Sequence, residues 1–299
     1  MERPRRAVLL MAYGSPQGLE DVERYYTHIL GGRRPSPEAV ASLTRRYAAI
    51  GGSPLREVSE RQRRALQERL AAEGWEVLLG FKHAPPYIAE MVEQAWRSGV
   101  EELVAIALAP HYAPQSVGSY LKLVSDAVAA CGGPPWRAVR AWHLHPSLIR
   151  FWVDQIAALR RTLPQAANSV VWLFSAHSLP ATAQDYAQAV EATARRVAQE
   201  AGLSRWEVVY QSRPQAPGEW LGPELEGRLL AWAQPGVAVA VVPIGFISDH
   251  LETLYDLDVQ ARATAERAGV TFFRLPCPND QPALIEVLAD LARHPEAAS

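Results

Sequence analysis

Two groups in this chain stand where chemistry is commonly done, a histidine and a carboxylate that each follow an apolar run. His177 lies in Ser175-Ala176-His177-Ser178-Leu179-Pro180, directly after Val170-Val171-Trp172-Leu173-Phe174. Glu252 lies in Ser248-Asp249-His250-Leu251-Glu252, after the run 237–242 and the turn Pro243-Ile244-Gly245-Phe246. Consecutive apolar, β-branched and aromatic residues read as strands buried on both faces. Ligands of open α/β sheets gather beyond the carboxyl ends of strands, so the two groups can converge on one crevice. An imidazole and a carboxylate suit a divalent first-row metal and leave positions open for a substrate. They equally suit a general acid and base. Each also has a plain structural alternative. A histidine in a strand-to-helix turn can simply satisfy backbone groups, and Asp249 with Glu252 three residues on matches a capping box. Asp256 and Gln260 follow Glu252 at steps of four, which on an α-helix puts all three on one face. His143-x-His145, at a strand end before Pro146, reads as structural or exposed rather than as a metal pair. No H-E-x-x-H, Walker A or G-x-G-x-x-G motif is present.

The elements that must position these groups alternate. Apolar runs predict strands at 7–13, 75–81, 103–109 and 136–142, and again at 170–175, 206–211, 237–242 and 270–274. Helical patterns fall between them, at 88–96, 115–130, 146–159 and 281–292. The stretch 19–70 is largely helical, with Ser36-Pro37-Glu38 as a helix start, Gly51-Gly52-Ser53-Pro54 as a loop and 57–70 as a solvated outer helix. Strands alternating with helices predict parallel βαβ units. The expected fold is α/β: two similar Rossmann-like domains, each a parallel four-stranded sheet flanked by helices. Residues 1–145 form the first, with a helical insertion. Residues 146–299 form the second, with the last helix packing back on the first. Met11-Ala12-Tyr13-Gly14-Ser15-Pro16 matches Ser175-Ala176-His177-Ser178-Leu179-Pro180 in punctuation, which sets Tyr13 opposite His177 in a cleft between the halves.

Composition narrows the classes. A chain of 299 residues, 48% hydrophobic and 21% charged, is that of an ordinary globular protein with room for two cores. A net charge of −2 gives no electrostatic reason for a nucleic-acid partner. Cys131 and Cys277 are far apart and signal neither a disulfide framework nor a cysteine metal cluster. Met1 to Arg6 is basic and precedes an apolar run in the outline of a signal peptide, but Tyr13-Gly14-Ser15-Pro16 cuts the run short. No apolar run approaches the roughly 20 residues of a membrane span. The expected location is cytoplasmic.

Taken in order, several stretches resemble the ferrochelatases, in particular the soluble coproporphyrin type of bacteria. They are Leu10-Met11-Ala12-Tyr13-Gly14, Glu23-Arg24-Tyr25-Tyr26-Thr27-His28-Ile29, Arg46-Tyr47, Ala109-Pro110-His111, Ser175-Ala176-His177-Ser178-Leu179-Pro180, Trp220-Leu221-Gly222-Pro223, and Gly245-Phe246 through Tyr255-Asp256. The resemblance implies insertion of Fe²⁺ into a porphyrin, most readily coproporphyrin III, with His177 and Glu252 as the metal-handling pair. It implies Tyr13 against the porphyrin and Arg46, Tyr47, Ser53 and Tyr120 as propionate donors, with Lys82 a lesser candidate. It implies no cofactor beyond substrate Fe²⁺, a monomer, and a downstream enzyme that accepts the coproheme. The chain also departs from the family pattern. Leu30 and Gly31 stand where relatives often carry arginine, and the loop at Ser53 is one residue shorter. Gln260 replaces an acid, and 290–299 lacks the cysteines that hold an iron–sulfur cluster in some members. Protoporphyrin IX as substrate, another tetrapyrrole metal, and a haem carrier that inserts nothing are the alternatives. A carrier needs an axial ligand but not a metal-delivering pair.

Overall fold

The computed structural model describes residues 5–163, 169–214 and 216–298. Met1 to Pro4 of the basic leader and Ser299 lie outside them. The apolar runs form two parallel sheets of four strands. In the first, β1 (Arg6–Ala12), β2 (Trp75–Phe81), β3 (Glu102–Ala107) and β4 (Trp136–Val139) lie in the order β2-β1-β3-β4. In the second, β5 (Ser169–His177), β6 (Trp206–Gln211), β7 (Val237–Val242) and β8 (Thr271–Arg274) lie in the order β6-β5-β7-β8. The two orders are the same, which is the structural counterpart of the matched punctuation. Strands covered on both faces need apolar residues at every position, and Ala7 to Met11 of β1 are wholly buried.

The chain divides into two compact units, one of Met1–Trp142 with Asn279–Ser299 and one of His143–Pro278. The insertion between β1 and β2 contains the helices Val22–Ile29, Pro37–Ala49 and Leu55–Leu70. Ser36 caps the second of these by accepting from Ala39 N–H at 3.2 Å, with Pro37 at its first position. The helix Pro282–Arg293 buries Leu284, Val287, Leu288 and Leu291 in the first unit. Its Glu286 meets Arg69 of Leu55–Leu70 at 2.6 Å.

Three strands of the first sheet end before the apolar runs that suggested them, β3 at Ala107 among them. β4 ends at Val139, and Trp142 instead sends its indole N–H to the Ala107 carbonyl at 3.3 Å. β1 ends at Ala12, which leaves Tyr13 beyond the strand and 42% exposed.

Candidate active site

Alternation along β5 aims His177. Val171, Leu173, Ser175 and His177 share one face of the sheet. The first two sit in a core with Val209, Val239, Val241, Leu257 and Ala261, so the helical segment after β7 covers this face. Trp172, Phe174 and Ala176 are buried on the other face. His177 is the last residue of the strand, where the core gives way to polar groups.

The turn after β7 carries Glu252 to it. Gly245 donates its N–H to the Ser175 carbonyl at 3.0 Å, and a Cβ there would come within 2.8 Å of Ala176 Cα. Only glycine lets this turn pass so close to the end of β5. The following helix, Leu251–Leu254, takes His250 as its N-cap, and Thr253 Oγ1 accepts from His250 N–H at 2.9 Å. The capping box expected from Asp249 and Glu252 is therefore not formed. Asp249 accepts from Arg274 Nη1 at 2.8 Å, and Glu252 reaches His177.

His177 Nδ1 and Glu252 Oε2 lie 2.9 Å apart. His250 Nε2 is 3.9 Å from the same carboxylate oxygen. The Tyr186 hydroxyl donates to the His177 carbonyl at 3.2 Å and fixes the end of the strand. Burial disfavours protonation of His177, but the charge and hydrogen bond of Glu252, with Asp256 adding, outweigh it and raise its pKa. Two donors about 2.1 Å from one ion at a right angle stand roughly 3 Å apart. The observed spacing thus suits either a shared proton or a shared cation, and binding the second displaces the first.

The α-helical spacing expected through Gln260 does not persist. Asp256–Ala261 is a π-helix, in which Gln260 N–H reaches the Tyr255 carbonyl at 2.9 Å. Such segments widen the turn and recur at functional sites. Asp256 stays buried below the site and accepts a hydrogen bond from Ser212, whereas Gln260 is exposed. His145 accepts from Ser147 N–H at 3.2 Å and caps Pro146–Thr162. Among the described residues no group of three or more histidine, cysteine, aspartate or glutamate side chains is arranged to hold a metal.

In the first unit the structure brings several of the predicted substrate residues together. Lys82 Nζ lies 5.9 Å from the Tyr13 ring and 5.3 Å from the Tyr120 ring, and donates to Ser119 Oγ at 2.7 Å. Burial lowers its pKa. Tyr47 meets Tyr25 edge-on at 6.5 Å, and Tyr25 donates to the Gly14 carbonyl beside Tyr13. Tyr47 and Tyr120 are buried. Arg46 precedes Tyr47 in the last turn of Pro37–Ala49. Ser53 is used locally, where its Oγ accepts from Leu55 N–H at 3.4 Å ahead of Leu55–Leu70.

Four residues went unassigned in the sequence reading. His83 packs on Tyr13 at 4.6 Å between ring centres, and its Nδ1 lies 3.0 Å from that of His28. Gln211 and Ser212 bond to the Glu252 segment. His83, Gln211 and Ser212 all lie at or just past the carboxyl end of a strand, the same signal that singled out His177.

The family profile of ferrochelatase matches residues 5–296. The coproporphyrin III ferrochelatase of Anoxybacillus flavithermus is 39% identical over 301 residues, covering 97% of this chain and 96% of its own. That of Bacillus subtilis is 36% identical, covering 97% of each. Of solved structures, SirB from Bacillus subtilis with Fe³⁺ superposes with a TM-score of 0.63 at 10% identity, over 97% of this chain and 95% of that one. CbiX, described as the terminal enzyme for biosynthesis of sirohaem in denitrifying bacteria, does so with a TM-score of 0.55 at 15% identity, over 98% and 100%. These two likenesses are of fold. The profile and the identity over almost the whole chain go further: the chain belongs to the ferrochelatase family.

Proposed function

We propose that this protein inserts Fe²⁺ into coproporphyrin III to give coproheme, with His177 and Glu252 handling the iron. The observation that carries the proposal is the 2.9 Å pairing of His177 Nδ1 with Glu252 Oε2 at the end of β5. Fe²⁺ sheds water onto this pair and displaces the proton the two share. A pair of ligands, unlike the closed set of four around a structural metal, leaves positions open through which the ion passes on. As the ion moves to the pyrrole nitrogens both pyrrole protons leave the ring: the vacated pair takes up one and water carries off the other. The raised pKa of His177 favours that step.

Arg46, Tyr47, Ser53 and Tyr120, with Lys82, supply donors to the propionates, and Tyr13 offers an exposed ring to the macrocycle. Coproporphyrin III has four propionates where protoporphyrin IX has two, so a donor-rich site favours the first. The relatives named above carry coproporphyrin III in their names, which supports the same choice. No helix among the described residues is long and apolar enough to cross a membrane. The enzyme works as a cytoplasmic monomer without a resident cofactor and passes its product to an enzyme that consumes coproheme.

Anaerobic Fe²⁺ insertion, followed by absorbance with coproporphyrin III and protoporphyrin IX in parallel, tests the proposal. Faster turnover of coproporphyrin III is expected. A preference for protoporphyrin IX overturns the substrate, and tight porphyrin binding with no insertion overturns the enzyme.

A further inference from the structure

Gln211 is the last residue of β6, paired in register with His177 across the sheet. Its backbone carbonyl accepts from the N–H of Ser178, the residue after His177, at 2.8 Å. Its side-chain Nε2 donates to the backbone carbonyl of Glu252 at 2.7 Å. One residue therefore ties the end of β5 that carries His177, through its main chain, to the helix that carries Glu252, through its buried side chain. The helix is passing from α to π geometry here, where the main-chain ladder changes partners. The next residue extends the tie. Ser212 adopts φ 60°, a left-handed backbone that serine seldom takes, and in that conformation its Oγ donates to the Asp256 carboxylate. Strain of this kind, of order 1–3 kcal/mol, persists only where the surroundings hold it. In this conformation the side chain makes the contact to Asp256.

We propose that Gln211, assisted by Ser212, is a positioning residue that sets the separation of His177 and Glu252 for metal delivery. Delivery itself rests on the function proposed above; the positioning does not. A displacement of about 1 Å at a reacting group can slow a reaction about 10²-fold.

Two variants test this, Gln211→Leu and Ser212→Gly, read by crystal structure, coproporphyrin III binding by fluorescence quenching, and Fe²⁺ kinetics. In Gln211→Leu the His177–Glu252 pair is expected to open beyond hydrogen-bond reach. KM for Fe²⁺ is expected to rise about tenfold while porphyrin affinity stays within about twofold, an effect of smaller size than the bound above. Ser212→Gly is expected to melt close to the wild-type temperature, because glycine accepts the left-handed backbone and that relief offsets the lost contact to Asp256, yet to lose Fe²⁺ turnover. A residue with only a structural role would not part stability from turnover in this way. Persistence of the 2.9 Å contact in Gln211→Leu overturns the positioning, whatever the kinetics. An opened pair with unchanged Fe²⁺ kinetics supports the positioning and overturns the iron-handling role of the pair. If Gln211→Leu does not fold, Ser212→Gly decides: unaltered turnover overturns the proposal.

Discussion

Glu252, standing beside His177, raises that histidine's pKa against the effect of its burial. A histidine whose folded pKa lies above its ordinary 6.5 adds stability that is fully present below that value and fades as pH rises through the folded pKa. Glu252→Gln removes the charge and leaves the burial. The His177 pKa is then expected to fall, as read by NMR titration of its ring, and the fade in stability on its account to disappear. His177→Ala is expected to lower iron insertion by about 10²–10⁴-fold, the span of a general acid–base group, with porphyrin binding retained. His83 presents the opposite case. Burial, Lys82 and His28 together hold its pKa down at about 4, so it is neutral through the range in which His177 titrates.

At the scale of elements, one arginine holds the segment just before the short helix Leu251–Leu254 and the first turn of the π-helix Asp256–Ala261. Arg274, on β8, donates to Asp258 through Nε and Nη2 at 3.0 and 2.6 Å and to Asp249 through Nη1 at 2.8 Å. The side chain is only 12% exposed. Burial opposes its charge, but the two carboxylates outweigh this and raise its pKa. Arg274→Leu takes the guanidinium from both carboxylates, leaving Arg262 at 3.5 Å from Asp258, and is expected to cost roughly 2–4 kcal/mol in urea unfolding, less than a fully buried pair because the aspartates are part-exposed. Arg274→Lys keeps the charge but not the planar fork, and is expected to recover only part of that loss.

At the scale of the whole molecule, the chain leaves the first unit after Trp142 and re-enters it at Asn279. The helix Pro282–Arg293 then completes that unit's core with leucines buried as deeply as those of the strands. Removing 279–299 is expected to strip hydrogen-exchange protection from β1, β2 and β3 while β5, β6 and β7 keep theirs. The smaller change Leu288→Ala is expected to cost about 2–5 kcal/mol, as large-to-small core substitutions do.

Strand identity, parallel pairing and the doubling of the fold were legible in the sequence, because strands buried on both faces leave unbroken apolar runs and the turns after them leave proline and glycine. The meeting of His177 with Glu252 was legible from their places after such runs, one at the end of β5 and one past the turn that follows β7. The capping of the Glu252 helix was not. Asp249 matched a local pattern, but Arg274, 25 residues away and beyond the π-helix, offered it a stronger partner, and the cap fell to His250 and Thr253. Nor was the α-to-π change legible, since spacing by four assumes the α-helix it sets out to detect. Gln211 and Ser212 carry no periodicity or motif of their own. Their contacts to Glu252 and Asp256 span 41 and 44 residues, and only the packing of β6 beside β5 brings them together. Local chemistry determined which residues end strands; long-range packing decided which of those ends meet.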